Sequence, residues 1–288
     1  MKYSETRVYK FAGHAYRLCK RRIQPYSSKY SKKTYTQPQH VAVLLLKTKM
    51  RLKFDETEEL LLNSSTLREC LELEQTPDHT TLCKALQRLR PVFFLMLLVL
   101  AAGLLPASGK GSIDATGFDR RHASKHYVQR CKMRFQSMKT TLLVDTETLM
   151  ILWLHATVTC KHDTQILLPI VEKAGDYFPL EILCGDKGYD DQEIRNTLRK
   201  AGIRPLIKHR EFKPIHKAQN ARIIKQDYRQ RLMNESINSS TKRKYGDTLT
   251  TKTYWRQYKE LLLKAAAHNI ERCMKTMHPH QRISIKLF

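Results

Sequence analysis

The chain has 288 residues, enough for one or two domains at about 150 residues each, and 41% of them are hydrophobic, so a real core can be buried. Lys and Arg number 52 against 27 Asp and Glu, a formal charge of 52 − 27 = +25, which points to a polyanionic partner, nucleic acid before a membrane surface. Seven scattered cysteines without a Cys-x-x-Cys pair, and 10 each of Gly and Pro, argue against a disulfide scaffold, a structural zinc knuckle and a low-complexity or collagen-like chain.

Met1 to Tyr16 carries charges but no apolar stretch of the signal-peptide kind. From Arg17 to Tyr35, Arg21, Arg22, Lys29, Lys32 and Lys33 alternate with Tyr26, Tyr30 and Tyr35. Such an arm can neutralise phosphates and stack on bases, or form a disordered basic tail. Val41–Met50 reads as an apolar helix. Asp55 with Glu58 reads as a capping box before Leu60–Leu62, and Asp78 as the N-cap of a helix through Leu82, Ala85, Leu86 and Leu89. That helix exposes Lys84, Arg88 and Arg90, as a recognition helix of a helix-turn-helix-like bundle does; a plain bundle with a solvated face fits the same residues. The longest apolar run, Val92 to Leu105, falls short of the roughly 20 residues of a membrane span and reads as a buried helix.

Beyond residue 105 the period changes. Ser112-Ile113-Asp114-Ala115-Thr116-Gly117 alternates as a strand does. Thr140–Val144 and Leu149–Val158 read as two more strands, joined by a turn at Asp145–Thr148. A helix over Asp163–Ala174, a short buried strand at Ile182–Leu183, a helix over Asp191–Ala201 closed by Gly202, a strand over Ile203–Ile207 and helical chain from Ala221 follow. Three antiparallel strands and then alternating helix and strand predict an α/β fold on a mixed sheet, preceded by an all-α region.

Two carboxylates stand out by position. Asp114 lies inside a strand, where an acid is depleted and costly to bury alone. Asp186 follows a buried strand end, between Gly185 and a Lys187-Gly188 turn, where α/β sheets bind ligands. On neighbouring strands the two would repel, and a divalent cation with oxygen ligands would relieve them. A third group follows. If the chain is one helix here, Tyr228, Arg231, Glu235 and Lys242 share a wedge of about 60°, with Ile223, Met233 and Ile237 on the opposite face. An ordinary amphipathic helix has the same form, and Asn238-Ser239-Ser240-Thr241 are weak helix formers, which predicts a break before Lys242. His122 with His126, Cys160 with His162, and His278 with His280 lack a complete zinc set.

The pattern Tyr228-x2-Arg231-x3-Glu235-x6-Lys242 resembles the YREK signature of the DDE transposases of bacterial and archaeal insertion sequences. Ser112-Ile113-Asp114-Ala115-Thr116 resembles the first acidic motif of that family, Gly185-Asp186-Lys187-Gly188-Tyr189-Asp190 its second, and His162-Asp163 a recurring loop. The resemblance covers roughly residues 36 to 270. It implies a ribonuclease-H-like domain over residues 106–270, after a basic arm and DNA-end-binding helices over 1–105 and before a tail, 271–288, of unassigned role. It implies that Asp114, Asp186 and Glu235 are catalytic and ligate two Mg²⁺ or Mn²⁺ ions, and that Tyr228, Arg231 and Lys242 hold DNA. By charge and position alone, Lys84, Arg88, Arg120 and Arg121 are further expected DNA contacts. The spacings, 186 − 114 = 72 and 235 − 186 = 49 residues, leave no room for an inserted domain before the glutamate. The activity implied is cut-and-paste transposition: metal-activated water cleaves at the terminal inverted repeat, and the freed 3′-OH attacks target DNA. The family further implies a cytoplasmic prokaryotic protein, no membrane partner and a homodimer on DNA. The alternatives are a catalytically inactive DNA-binding derivative and a ribonuclease-H-like nuclease without strand transfer.

Overall fold

A computed structural model describes residues 6–120, 137–159 and 161–276. Arg121, His122, His126, Cys160, His278, His280 and most of the basic run 120–139 lie outside them. The chain starts with α1 (Arg7–Arg22), α2 (Gln37–Met50), α3 (Phe54–Leu62), α4 (Ser65–Cys70), α5 (His79–Arg88) and α6 (Pro91–Ala102). It continues with β1 (Lys110–Arg120), β2 (Ser137–Asp145), β3 (Ile151–Thr157), α7 (Thr164–Gly175), β4 (Ile182–Gly185), α8 (Gln192–Lys200) and β5 (Arg204–Ile207). Then come α9 (Pro214–Ala221), α10 (Lys225–Arg229), α11 (Leu232–Tyr245), β6 (Thr248–Leu249) and α12 (Tyr254–Thr276). These elements form two compact units. One holds Met1–Leu104, Lys244–Gly246 and Thr253–Phe288, the other Leu105–Arg243 and Asp247–Lys252.

In the helical unit α2 is the central element. Val41 through Leu46 are all buried, so this helix is apolar on every side rather than amphipathic. Thr36 and Gln39 cap its start reciprocally: the Gln39 N–H donates to Thr36 Oγ1 at 3.3 Å and the Thr36 N–H to Gln39 Oε1 at 2.8 Å. Asp78 caps α5 as expected, accepting from the Thr81 N–H at 2.8 Å. Arg17 to Arg22 form the end of α1, which buries Phe11, Ala12, Ala15, Tyr16 and Cys19, so this part of the basic arm is folded. The expected Asp55/Glu58 box is replaced. The Lys53 N–H donates to Glu56 at 2.8 Å, while Glu58 reaches across to the N–H and the ring of His79, both at 2.8 Å.

The boundary expected at residue 270 falls inside α12, and α12 belongs to the helical unit. It packs on α6 and α2 through Leu261, Leu262, Ala265, Ala266 and Ile270. Burial of that face draws the helix back to the N-terminal bundle. Among the described residues no single helix is long and apolar enough to cross a membrane.

The second unit is a six-stranded mixed sheet in the order β3-β2-β1-β4-β5, with β6 added to the far end of β1, and helices beside it. β1, β2 and β3 pair antiparallel, and β4 and β5 pair parallel to β1 and to each other. This is the ribonuclease-H-like arrangement. The Asp145 carboxylate makes the β2–β3 turn by accepting the N–H groups of Glu147 and Thr148 at 3.0 and 2.8 Å. Gly202, at φ +77°, ends the α8 segment, a conformation that costs glycine nothing. The helical stretch after β5 begins earlier than expected, at Pro214, and is divided into α9, α10 and α11. The expected break at 238–241 does not occur. Asn238 and Thr241 are buried there, and tertiary packing outweighs their weak helix preference.

Candidate active site

Strand register brings the first two acids together. Ile113 of β1 is paired with Gly185 of β4, so Asp114 and Asp186 are the next residue on two adjacent parallel strands. Asp114 is half-buried and faces Leu142 of β2 in the ladder; Asp186 is exposed, and its carboxylate accepts the Lys187 N–H at 2.6 Å to start a one-turn helix over Lys187–Tyr189. Gly185 leaves little room at the strand end: a Cβ there would meet the side chains of Ile207 at 3.3 Å and Tyr189 at 3.4 Å. Tyr189 itself is fully buried, and its hydroxyl has no hydrogen-bond partner among the described residues. Burial and then the charges of Asp163, Asp114 and Asp186 push that phenol well above its ordinary range. Asp163 pairs with Lys139 at 2.7 Å, and His162 bonds Thr164 at 2.9 Å at the head of α7.

α11 supplies the third acid. The four residues of the wedge do not lie on one helix: Tyr228 is on α10, Arg231 in the turn between, and Glu235 and Lys242 on α11. Three of them still meet. Arg231 contacts Glu235 at 2.7 Å, and its guanidinium lies 5.9 Å from the Tyr228 ring centroid. Lys208, which the sequence alone does not single out, lies over the Tyr228 ring, 4.5 Å from its centroid. Lys242, two turns along α11, lies instead over Phe118 near the end of β1, 5.4 Å from its centroid. The buried face also differs from expectation. Ile237 is buried as predicted, but Met233 and Ile223 are only partly so, and Asn234, Asn238 and Thr241 take the inner positions.

Electrostatics link these parts. Burial raises the Asp114 carboxyl above its ordinary value, and Glu235 and Asp186 raise it further; the Ala115 N–H and Arg231 oppose them. Tyr228 is also raised, by burial first, with Arg231 opposing and Asp186 adding. Among the described residues no three of His, Cys, Asp and Glu are grouped closely enough to enclose a metal ion. Glu235 is turned to Arg231 rather than to the two aspartates.

Residues 107–270 match the family model of the transposase DDE domain, more than half of the chain. The chain belongs to that family. No curated protein matches it. In this transposase the matched segment runs from just before β1 into α12, and it contains Asp114, Asp186, Tyr228, Arg231, Glu235 and Lys242. Of the other expected contacts, Lys84, Arg88 and Arg90 are exposed on or beside α5, and Arg120 ends β1, half-buried. The residues missed from the transposase sequence are Lys208, Asn234 and Asn238. A buried asparagine at helical spacing from an acid was the available signal, hidden because hydrophobic periodicity ranks asparagine as surface.

Proposed function

We propose that this transposase binds the ends of an insertion sequence, cleaves there with divalent metal, and joins the freed 3′-OH to target DNA. The observation that carries the reading is the convergence on Asp114. Strand register sets Asp186 beside it, and its carboxyl is raised by burial first and then by Glu235 and Asp186. Acids held in mutual repulsion inside a fold cost stability, and a cation is what offsets that cost. Three carboxylates are hard oxygen donors and fit Mg²⁺ or Mn²⁺. Asp114, Asp186 and Glu235 would hold two such ions, which supply an activated water and charge compensation at the leaving oxygen.

The chain's own residues do the rest. Glu235 is exposed and paired with Arg231; turned inward onto a metal ion it would release Arg231 toward a DNA phosphate. Tyr228, with Lys208 over its ring, and Lys242 flank the acids as phosphate contacts. No Ser or Tyr nucleophile is needed, because phosphoryl transfer of this kind needs alignment and charge compensation rather than a covalent enzyme intermediate. In the helical unit Lys84, Arg88 and Arg90 read the end sequence, and two copies work as a homodimer on two ends.

The test is the full-length protein incubated with labelled DNA carrying the terminal repeats, a target plasmid, and Mg²⁺ or Mn²⁺. Cleavage at the repeat followed by joining to the plasmid is expected, and a chelator should stop both. Tight end binding without cleavage in either metal would overturn the catalytic reading; cleavage without joining would remove strand transfer from it.

A further inference from the structure

Asn234 and Asn238 lie one turn apart on the inner face of α11, 0% and 7% exposed. Asparagine is a weak helix former, and a buried amide without partners is costly, so two of them on one inner face call for a specific use. The hydrogen bonds supply it. Asn234 Nδ2 donates to Ser112 O of β1 at 2.9 Å and to Leu142 O of β2 at 3.0 Å, which pins the helix across the two central strands. Asn234 Oδ1 accepts from Asn238 Nδ2 at 3.2 Å. Asn238 Nδ2 also donates to Asp114 Oδ2 at 3.4 Å. The backbone of the sheet is thus connected through two amides to one oxygen of the half-buried aspartate. Asn238 Oδ1 is left over: it is buried and has no partner among the described residues. Ile237, between the two asparagines, shows that an apolar side chain is accommodated at the same helix–sheet contact.

We infer that Asn238 is a positioning residue for the metal site. Held by Asn234, its amide donor fixes the Asp114 carboxylate in one orientation, and its open Oδ1 accepts a hydrogen from a water of the hydrated divalent ion. Partners outside the ligand set orient ligands in this way, and a buried acceptor at a polar site is satisfied by such a water. Because Asn234 and Glu235 are consecutive on α11, the same anchor sets the side of the helix from which Glu235 approaches Asp114. The inference rests on the reading of Asp114 as a metal ligand.

The experiment counts free Mn²⁺ by electron paramagnetic resonance while the ion is titrated into full-length wild type, Asn238→Leu, Asn238→Gln and Asp114→Asn, with melting followed in chelator. Asn238→Leu keeps the branched shape, with slightly larger methyl groups, and removes the amide. It should weaken Mn²⁺ binding about 10-fold, as loss of an orienting partner does, while melting within a few degrees of wild type. Asn238→Gln keeps the amide and should recover part of the loss. Wild-type affinity in Asn238→Leu, or an equal loss in Leu and Gln, would overturn the inference, the second because packing alone would then explain it. If Asn238→Leu fails to fold, Asn238→Ala takes its place under the same criteria. Wild-type Mn²⁺ binding in Asp114→Asn would overturn the site itself. That result is distinct from failure of the amide link alone, in which Asp114→Asn loses the ion and Asn238→Leu does not.

Discussion

In the helical unit Lys259 is only 3% exposed, yet its ammonium donates to Leu86 O at 2.9 Å and Gln87 O at 3.0 Å, at the end of α5 where carbonyls lack helical partners. Lys264 donates to Gly246 O at 2.8 Å, and Glu271 accepts from Lys244 at 3.1 Å and the Tyr245 hydroxyl at 2.9 Å and pairs with Lys49. In the sheet unit the half-buried Asp114 is instead set against two further carboxylates, with Arg231, Asn238 and one backbone N–H among the described residues to offset them. The contrast separates two uses of charge. Buried cations of the helical unit close loose backbone ends and hold the chain together, whereas the acids of the sheet unit are held together by the chain. Opposite responses to mutation follow.

The largest effect is expected at the acids. Asp186→Ala and Glu235→Ala should each remove metal-dependent cleavage from a gel assay while leaving end-DNA binding in place; near wild-type cleavage in either would strike that residue from the site. Next is the helical unit. Lys259→Met leaves the buried Leu86 carbonyl and the part-buried Gln87 carbonyl without their donor and should cost about 1–3 kcal/mol, read as a lower urea midpoint, and an unshifted midpoint would mean the tie contributes nothing. Smaller is the effect of Arg231→Ala, which should lower the slope of log affinity against log salt by about one unit. Equal slopes in variant and wild type would show that the guanidinium never reaches phosphate.

The smallest effect has the opposite sign. The folded-state carboxyl of Asp114 is raised above the ordinary value of about 3.9. Between those two values the native state binds the extra proton, so the metal-free protein should lose stability as pH rises through that window. Asp114→Asn should lack this loss and be more stable than wild type at neutral pH in chelator, by a few degrees of melting temperature. An Asp114→Asn protein that is no more stable there would mean that the acids do not strain the fold.

Much of this was legible because it is local. The alternation through Ser112–Gly117 and the buried run ending at Gly185 located β1 and β4, and an acid at each was conspicuous against its surroundings. Asp78 announced a helix start by its chemistry. What depends on distant partners was hidden. The return of α12 to the N-terminal helices is decided by matching apolar faces some 150 residues apart. The turn at Arg231 divides a wedge that a single helix would have kept whole. Hydrophobic periodicity selects Met233 and Ile223, which are only partly buried, whereas Asn234, Asn238 and Thr241 share the inner positions of α11 with Ile237. The burial of Asn234 is repaid by carbonyls on strands more than ninety residues earlier in the chain, and that of Asn238 by the Asp114 carboxylate and the Asn234 amide.

The return of α12 also orders events during synthesis. Residues 105–252 contain the whole sheet unit and leave the ribosome before residue 254, the first of α12. The helical unit begins first but is completed last, since its closing helix follows the whole sheet. The usual succession, in which the N-terminal unit finishes before the next one forms, is inverted here. A ribosome-bound chain therefore passes through an interval in which the three acids have their strands and helix while the bundle that carries Lys84 and Arg88 still lacks the helix that covers α2 and α6.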